Sequence, residues 1–441
     1  MDNQQYDFSI PTLGPARHAS TLDLGEAGAA DFVSEQRRVL FHSEWDDVRP
    51  YAEQALTPPA LEVAGPREKL FFRASDVRAA IVTTGGLCPG INDVVRSLVL
   101  TLSWHYGVRE ILGIRYGLRG FVADDAPPVT LTPEAVRNIH HEGGSLLGSS
   151  RGAPPVEDIV RFLDRMAIGL LFLIGGDGTM RAAQAIAAGV RQKGLLVSVI
   201  GIPKTIDNDI PFVDRTFGFT TAVSLARVAI DAAHAEATGA YNGVGLVRLM
   251  GRSSGFIAAE AALASGEPNF VLIPEVPFEM DGPQGFLATL HRRLVSRRHA
   301  VVVVAEGAGQ EFLDEERRTR GTDESGNQRL GDVGRYMRRR IDEYFRERDM
   351  AVTVKYIDPG YTIRSAPASA SDAIYCQELG QNAVHAAMSG RTEMVVGLIN
   401  GRQVHVPIRL VTSGIKRVKT ENPLWRSVLQ STGQPVRMVN S

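Results

Sequence analysis

The sequence predicts an α/β fold in which parallel sheets are covered by helices on both faces. The first observation is that short, almost wholly apolar segments of strand length recur along the chain, such as VIGI at residues 199–202. The second is that these segments are followed by glycine-rich or polar turns and then by helical periodicity. Strands that are apolar on both sides are typical of a parallel sheet that is buried on both faces.

Composition narrows the class of protein. The chain has 441 residues, of which 44% are hydrophobic and 22% charged, and this is enough for two or three domains with ordinary cores. The formal charge of -2 offers no basic field to nucleic acid, and the two cysteines, Cys88 and Cys376, build no disulfide framework. No secretory leader, membrane-length apolar run or zinc-type histidine spacing is evident. We therefore expect a cytoplasmic protein without nucleic-acid or membrane partners.

The strand, turn and helix pattern begins near residue 78 and falls into two blocks. The first block contains RAAIVTTGGLCPGIND, REILGIRYGLRGF, IGLLFLIGGDGT and VIGIPKTIDND. The second contains GVGLVRLMGRSSGFIA, NFVLIPE, HAVVVVAEGAGQ and VKYIDPGYTIR. In such sheets ligands bind outside the carboxyl ends of the strands, at a topological switch point. Residues 1–77 read as an extension, 311–332 as a polar surface loop and 406–441 as a peripheral tail.

The motif GGDGT, residues 175–179, has the composition of a phosphate-binding turn. Gly175 and Gly176 permit a tight turn, and Gly178 lacks a side chain where a phosphate could approach. Thr179 is expected to cap the helix that follows, whose N–H groups favour an anion. Asp177 inside this turn suits a carboxylate that holds Mg²⁺ against phosphates. An ordinary glycine turn with Asp177 as a cap is the alternative, because a lone glycine motif is weak.

The stretch PKTIDND, residues 203–209, places Asp207 and Asp209 after a core strand. Pro203 ends the strand because it has no N–H to donate. If Asp177 meets the same crevice, three carboxylates gather there, and they repel unless a cation or a transferable proton compensates them. A magnesium–phosphate ligand and a substrate hydroxyl supply both, so phosphoryl transfer is favoured over a solvated turn.

These motifs resemble those of the 6-phosphofructokinase family between residues 78 and 410. The matching segments are GGLCPGIND, GGDGT, PKTIDND, LMGRSSGFIA, AEGAGQ and YIDPGYTIR, and PKTIDND with a downstream MGR is highly specific. The plant- and trypanosome-like branch is the most similar, since it also has an N-terminal extension and an STGQP-type tail. The resemblance implies two Rossmann-like domains with the active site in the cleft between them: 78–218 with 363–405 for the phosphoryl donor, and 219–362 for fructose 6-phosphate.

The resemblance also implies residue roles. The catalytic residues would be Asp207, which would take the proton of the sugar 1-hydroxyl, Thr205 and Arg252. Thr205 and Asp209 would line the transfer site. The donor site, with Asp177 holding Mg²⁺, would comprise Gly86, Arg151, Gly176, Asp177, Gly178 and Thr179. Fructose 6-phosphate would meet Met250, Gly251, Arg252 and Glu306, with Lys355, Tyr361 and Arg364 around its 6-phosphate. The family further implies a homodimer or homotetramer and allosteric control.

The chain departs from the shorter bacterial enzymes at two positions. Gly243 stands where those enzymes place an arginine, which puts in doubt an arginine donated across a subunit interface. Tyr361 replaces their histidine, so recognition of the 6-phosphate would follow the other branch.

Two positions bear on the phosphoryl donor. Pyrophosphate-dependent relatives carry an aspartate at the position of Gly178, where it would repel the α-phosphate of ATP. Lys204, in contrast, is typical of enzymes that use pyrophosphate. Because steric exclusion is firmer than attraction by one flexible cation, we favour ATP, with the pyrophosphate-dependent enzyme as the alternative.

Other interpretations are weaker. Lipid and nicotinamide-nucleotide kinases share GGDGT but need neither PKTIDND nor the MGR loop, and a non-catalytic paralogue would be expected to lack Asp177, Asp207 or Arg252. Cys88 is interpreted as a packed thiol rather than a redox-sensitive one.

Overall fold

The structure is a computed structural model, and it describes residues 6–22, 32–150, 152–315, 321–322 and 329–440. Its contacts divide the chain into two units. Unit 1 comprises residues 1–205, 210–218 and 366–414, and unit 2 comprises residues 206–209, 219–365 and 415–441. Both units are α/β with mostly parallel sheets, so the predicted fold class is confirmed. Among the described residues, no helix combines the length and apolarity needed to cross a membrane.

Unit 1 is built on a seven-stranded sheet. Its strands, in spatial order, are Arg402–Pro407, Met394–Ile399, Ser198–Pro203, Ile168–Gly175, Arg78–Thr83, Glu110–Ile114 and Val129–Thr130. The five central strands run parallel, and the strand at each edge is antiparallel to its neighbour. The helices described in this unit are Trp45–Glu53, Ile91–Leu100, Val156–Arg165, Asp177–Gln192, Ala370–Met388 and Ile408–Val411, with shorter helical turns at Thr101–Tyr106, Gly117–Phe121 and Ile139–His141.

The strand Arg78–Thr83 shows why the sequence predicted a doubly covered sheet. All its residues after Arg78 are buried, yet only Ala80 and Val82 join the apolar cluster that includes helices Val156–Arg165 and Asp177–Gln192. The intervening side chains face the other side of the sheet, because successive residues of a strand alternate. Apolar residues at every position are therefore required here.

The order of the strands places a switch point beside Arg78–Thr83. The chain continues from this strand to Glu110–Ile114 on one side and later returns to Ile168–Gly175 on the other. The loops that follow Arg78–Thr83 and Ile168–Gly175 therefore lie next to each other at the carboxyl edge, where open α/β sheets bind ligands.

Unit 2 contains a four-stranded sheet in which every pair is parallel. The order is Phe270–Leu272, His299–Ala305, Gly243–Leu249 and Thr353–Ile357. The helices described are Phe219–Thr238, Phe256–Ser265, Phe286–Arg297, Val333–Arg346, Gly360–Arg364 and Pro423–Thr432, with a 3₁₀ turn at Gln310–Leu313. Because all four strands point the same way, the residues that follow them emerge at one edge.

The two terminal segments are more closely packed than the sequence suggested. In the extension, the short strands His18–Ala19, Arg38–Leu40, Ala60–Glu62 and Lys69–Leu70 form two antiparallel pairs. Leu61 and Leu70 of this segment are buried in unit 1. In the tail, Trp425 and Val428 are buried in unit 2, and the Gln434 side chain bonds both backbone groups of Val271. The tail thus covers the edge of the sheet.

Candidate active site

The first glycine loop follows strand Arg78–Thr83 in unit 1. Gly85 has a φ of +80°, a region that favours glycine, and its N–H donates to the Ser150 carbonyl at 3.1 Å. The Ser149 hydroxyl donates back to the Gly85 carbonyl at 2.6 Å. A Cβ placed on Gly86 would meet no atom within 4 Å. Gly86 therefore borders open space, as expected of a residue that contacts a ligand.

Lys204 connects this loop with the next strand. Its side chain is almost fully buried, and its Nζ donates to the Gly86 carbonyl at 2.5 Å. Its backbone N–H donates to the Gly175 carbonyl at 2.8 Å. The ammonium thus helps to fix the first glycine loop, a role that the sequence did not indicate.

The GGDGT turn opens the helix Asp177–Gln192. Gly176 precedes this helix, and its carbonyl accepts hydrogen bonds from the N–H groups of Thr179 and Met180. The expectation that Thr179 caps the helix is wrong, because Thr179 lies inside the first turn and its hydroxyl bonds that of Thr84. A Cβ on Gly175 would lie 2.1 Å from Thr179 Oγ1. Close packing of the strand end on the helix therefore requires a glycine at 175.

Gly178 differs from Gly175. Its backbone is not in the left-handed region, and a Cβ added there would meet no atom within 4 Å. Neither conformation nor packing requires glycine at this position, so the space in front of it is available to a ligand.

Asp177 is suited to Mg²⁺ that arrives with a phosphate. Its side chain is 42% exposed at the helix N-terminus and forms an ion pair with Arg181 in the next turn. Within the described parts of the chain, no group of three or more potential metal-ligating side chains is found. A single carboxylate fits Mg²⁺, which usually keeps several waters and binds through one or two carboxylates and the substrate phosphates.

In unit 2, predicted acceptor residues follow two neighbouring strands. Met250, Gly251 and Arg252 come after Gly243–Leu249, and Glu306 directly follows His299–Ala305. The Glu306 N–H donates to the Leu249 carbonyl, and the Gly307 N–H donates to the Gly251 carbonyl at 3.0 Å. Gly251 has a φ of +124°, and a Cβ on Gly307 would lie 1.9 Å from the Arg252 carbonyl. The MGR and AEGAGQ motifs are therefore held together by backbone contacts that leave no room for larger residues.

Arg248 is a residue of this site that the sequence analysis missed. Its guanidinium donates to Glu306 Oε2 at 2.7 Å and to Asp358 Oδ2 at 2.6 Å. Burial alone would lower the pKa of Arg248, but the charges of Glu306 and Asp358 raise it above its ordinary value. The signal in the sequence was an arginine inside the otherwise apolar strand GVGLVRL, two positions before Met250.

The turn Asp207–Asp209 is bonded at each of its residues within unit 2. The Arg252 N–H donates to Asp207 Oδ2 at 3.3 Å, and the Ser254 hydroxyl donates to the Asp207 carbonyl at 3.1 Å. Asn208 is buried with a φ of +56°, in the left-handed region that asparagine tolerates. The left-handed residue thus lies between the two carboxylate residues of the turn.

Electrostatics distinguish Asp207 from an ordinary carboxylate. Burial and, next, the negative charges of Asp209 and Glu306 raise the pKa of Asp207 well above its usual value. The Arg252 backbone N–H and the charge of Arg364 act in the opposite direction. Asp207 is therefore a stronger base than a solvated aspartate, as general-base catalysis requires.

Other predicted residues have different surroundings. Lys355 lies within strand Thr353–Ile357, in register with Gly245, and its Nζ is 3.3 Å from a Glu236 oxygen. Tyr361 is 83% exposed on the short helix Gly360–Arg364, with the Arg364 guanidinium 5.0 Å from its ring centre.

Three further positions complete the predicted set. The carbonyl of Thr205, in unit 1, accepts a hydrogen bond from the Thr216 hydroxyl at 2.7 Å. Arg151 lies outside the described residues. A Cβ on Gly243 would lie 2.1 Å from the Ala237 carbonyl, so this position has no room for the arginine of the shorter bacterial enzymes.

Cys88 is packed rather than exposed. Its thiol is buried and lies 3.3 Å from the Phe217 carbonyl, to which it donates. A Cβ on Gly218 would lie 2.3 Å from its sulfur. These contacts favour the interpretation of Cys88 as a packing residue.

Comparison with known proteins now decides the family. The sequence profile of the family described as Phosphofructokinase matches residues 78–387. The chain belongs to the phosphofructokinase family. It is 46% identical to the ATP-dependent 6-phosphofructokinase of Borreliella burgdorferi, over 99% of both chains. It is also 50% identical to the chloroplastic ATP-dependent 6-phosphofructokinase 5 of Arabidopsis thaliana, over 84% of this chain and 68% of that protein.

Solved structures support the fold. The pyrophosphate-dependent phosphofructokinase of Marinobacter aquaeolei matches with a TM-score of 0.67 at 21% identity, covering 83% of this chain and 92% of that one. The phosphofructokinase of Pichia pastoris matches with a TM-score of 0.61 at 21% identity, covering 81% of this chain and 36% of that one. At this identity the likeness concerns architecture and not the choice of phosphoryl donor.

Proposed function

We propose that this protein transfers the γ-phosphoryl group of ATP to the 1-hydroxyl of fructose 6-phosphate, giving fructose 1,6-bisphosphate and ADP, a step of glycolysis. The observation that carries the proposal is the carboxyl group of Asp207, whose pKa is raised by burial and by Asp209 and Glu306. It lies within hydrogen-bond distance of the Arg252 N–H. A carboxylate that has a raised pKa and is held by a hydrogen bond suits the removal of a hydroxyl proton.

In the proposed step, Asp207 accepts the proton of the 1-hydroxyl as this oxygen forms a bond with the γ-phosphorus. The bond from the γ-phosphorus to the bridging oxygen breaks, and ADP leaves with the electron pair. Arg252 stabilises negative charge on the transferred group, while Thr205 and Asp209 line the transfer site. Because little covalent chemistry is left to the protein, positioning and charge stabilisation account for most of the catalysis.

On the acceptor side, we assign recognition of the sugar to the residues at the strand ends of unit 2. Met250 and Gly251 would border the sugar. Glu306, oriented by Arg248, would accept hydrogen bonds from the sugar hydroxyl groups. Arg364 and the exposed Tyr361 would meet the 6-phosphate. Lys355 has the least support in this set, since it lies within a strand and its ammonium pairs with Glu236 of helix Phe219–Thr238.

On the donor side, Gly86, Gly176 and Gly178 would let the phosphates approach the backbone and the helix N-terminus at Asp177. Arg151 would add a planar cation for phosphate oxygens. Bound Mg²⁺ would neutralise charge on the phosphates, and Asp177 would be its protein ligand. The Thr179 hydroxyl is engaged with Thr84 and its N–H with the Gly176 carbonyl, so its assignment to the donor site rests on its place in the first helix turn.

The structure bears on the choice between ATP and pyrophosphate through two residues. Open space in front of Gly178 leaves room for the α-phosphate of ATP. Lys204, the feature that favours pyrophosphate, already serves the fold by donating to the Gly86 carbonyl. Its presence therefore does not require a pyrophosphate substrate, and ATP remains the proposed donor.

The proposal is tested by measuring fructose 1,6-bisphosphate formation by the purified protein with Mg²⁺, with ATP and pyrophosphate offered in parallel. Turnover with ATP is the expected result. Turnover with pyrophosphate alone would mean that Lys204 outweighs the open space at Gly178. No product with either donor would contradict the proposal and favour a non-catalytic role.

The cytoplasmic location, the homodimer or homotetramer and the allosteric control implied by the resemblance stay predictions. Sedimentation of the purified chain, with and without fructose 6-phosphate, would measure the number of subunits.

A further inference from the structure

The C-terminal tail of unit 2 contacts the candidate catalytic turn. The backbone N–H of Lys416 donates to the Asp209 carbonyl at 2.7 Å, and its Nζ donates to Asn208 Oδ1 at 3.0 Å. This lysine belongs to none of the sequence motifs, and the tail was expected to be peripheral. The contacts are nevertheless with two of the three residues of the turn Asp207–Asp209.

The tail itself is fixed next to these contacts. One oxygen of Glu275 accepts hydrogen bonds from the N–H of Val418, at 2.8 Å, and from the N–H of Gly255, at 3.0 Å. The Lys416 ammonium also lies 5.4 Å from the centre of the Phe256 ring, within cation–π range. Lys416 is therefore held by the tail and by the start of helix Phe256–Ser265, and it can restrain the turn.

The restraint matters because of the conformation of Asn208. This residue is 5% exposed and has a φ of +56°, which costs free energy unless the surroundings over-determine it. Rotation of Asn208 away from this region would redirect the two carboxylates on either side of it. A bond to its side-chain oxygen from a charged donor opposes such rotation.

We propose that Lys416 is a positioning residue for phosphoryl transfer, which acts through Asn208 to hold the carboxylate of Asp207 in its productive orientation. This inference rests on the proposed function, since it concerns the base of that reaction. It assigns to the STGQP-type tail region a part in catalysis that is separate from its packing on the sheet.

The test compares Lys416→Met, Lys416→Arg and the control Lys419→Met, a lysine on the exposed surface of the same tail. For Lys416→Met we expect kcat to fall by about 10- to 100-fold, the weight of one charge-assisted hydrogen bond, with the KM for ATP unchanged. Lys416→Arg keeps a cationic donor and should recover most of the rate. Lys419→Met should behave as the unmodified protein.

A double-mutant cycle with Asn208→Gly separates positioning from general loss of structure. Glycine keeps the left-handed conformation and removes the acceptor, so Lys416→Met should have little further effect on kcat in that background. Additive losses, or a kcat of Lys416→Met within twofold of the unmodified protein, would overturn the inference. An unmodified protein that makes no fructose 1,6-bisphosphate would instead overturn the proposed function.

Discussion

The donor-side loops of unit 1 and the acceptor-side strand ends of unit 2 are built differently. Around Gly86 and Gly178 the structure offers open space and backbone groups. Around Asp207 and Glu306 it offers charged side chains that bond one another and the backbone. From this contrast we infer that exclusion by shape at Gly178 selects between donors, whereas charged side chains bind and activate the acceptor.

The largest effect is expected at the charged side. Asp207→Asn removes the base but keeps the shape of the side chain, so kcat should fall by roughly 10²–10⁴-fold. Binding of fructose 6-phosphate, measured by calorimetry, should be nearly unchanged. Asp214→Asn, at an exposed carboxyl farther along the same segment, is the matched control. An unaffected kcat in Asp207→Asn would mean that another group removes the proton.

The next effect tests selection by shape. Gly178→Asp places a carboxylate in the open space, and like-charge repulsion should lower kcat/KM for ATP by about 30-fold or more, and far more than for pyrophosphate.

Gly178→Ala is the control for this substitution. The added Cβ would meet no atom within 4 Å, so the variant should keep its activity. Its helix should be stabilised by about 0.5–1 kcal/mol, because alanine favours a helix over glycine. Equal losses with both donors in Gly178→Asp would show that Gly178 does not select the donor.

A smaller effect is expected for the residue that orients Glu306. Arg248→Met removes the hydrogen bonds to Glu306 and Asp358, so the KM for fructose 6-phosphate should rise by roughly 10-fold while the KM for ATP stays constant. Arg335→Met, at an 81% exposed side chain, provides the control. A parallel rise in both KM values would contradict a role confined to the acceptor.

The smallest effect on activity at neutral pH is expected when a cluster of buried charged and histidine side chains in unit 1 is changed. Glu62, in the extension, accepts hydrogen bonds from Arg391 at 2.8 Å and from His405 at 3.2 Å. Burial lowers the pKa of His405 from 6.5 to about 4. Burial would raise the pKa of Glu62, but hydrogen bonds from His405 and Arg391 and the charge of Arg391 lower it from 4.5 to about 2.

Both shifts make the fold less stable in acid. The unfolded chain binds a proton at His405 below about pH 6.5, and at Glu62 below about pH 4.5, before the folded chain does. His405 alone should account for about 3 kcal/mol of unfolding free energy lost between pH 6.5 and 4. Urea unfolding at several pH values measures this slope, and His405→Gln should flatten it above pH 4.5. An unchanged slope in that variant would assign the acid sensitivity to other groups.

Much of the fold could be predicted because its signals are local. The apolar run at 199–202, for example, lies in the strand Ser198–Pro203, which ends at the proline as predicted. The glycine loops at 85–86 and 175–178 lie at carboxyl ends of parallel strands, as the alternation of strands and helices required. The role of Thr179 could not be predicted, because its hydroxyl partner Thr84 belongs to a different strand end.

The sequence by itself determined the α/β class and the family, and it supplied the proposed site residues, since strand periodicity and short motifs depend on neighbours along the chain. Only the tertiary structure decided which side chains orient those residues. Arg248 reaches Glu306, Lys204 reaches Gly86 and Lys416 reaches Asn208 across long separations in sequence. Long flexible cations find such partners only once the strand ends and the tail are packed side by side.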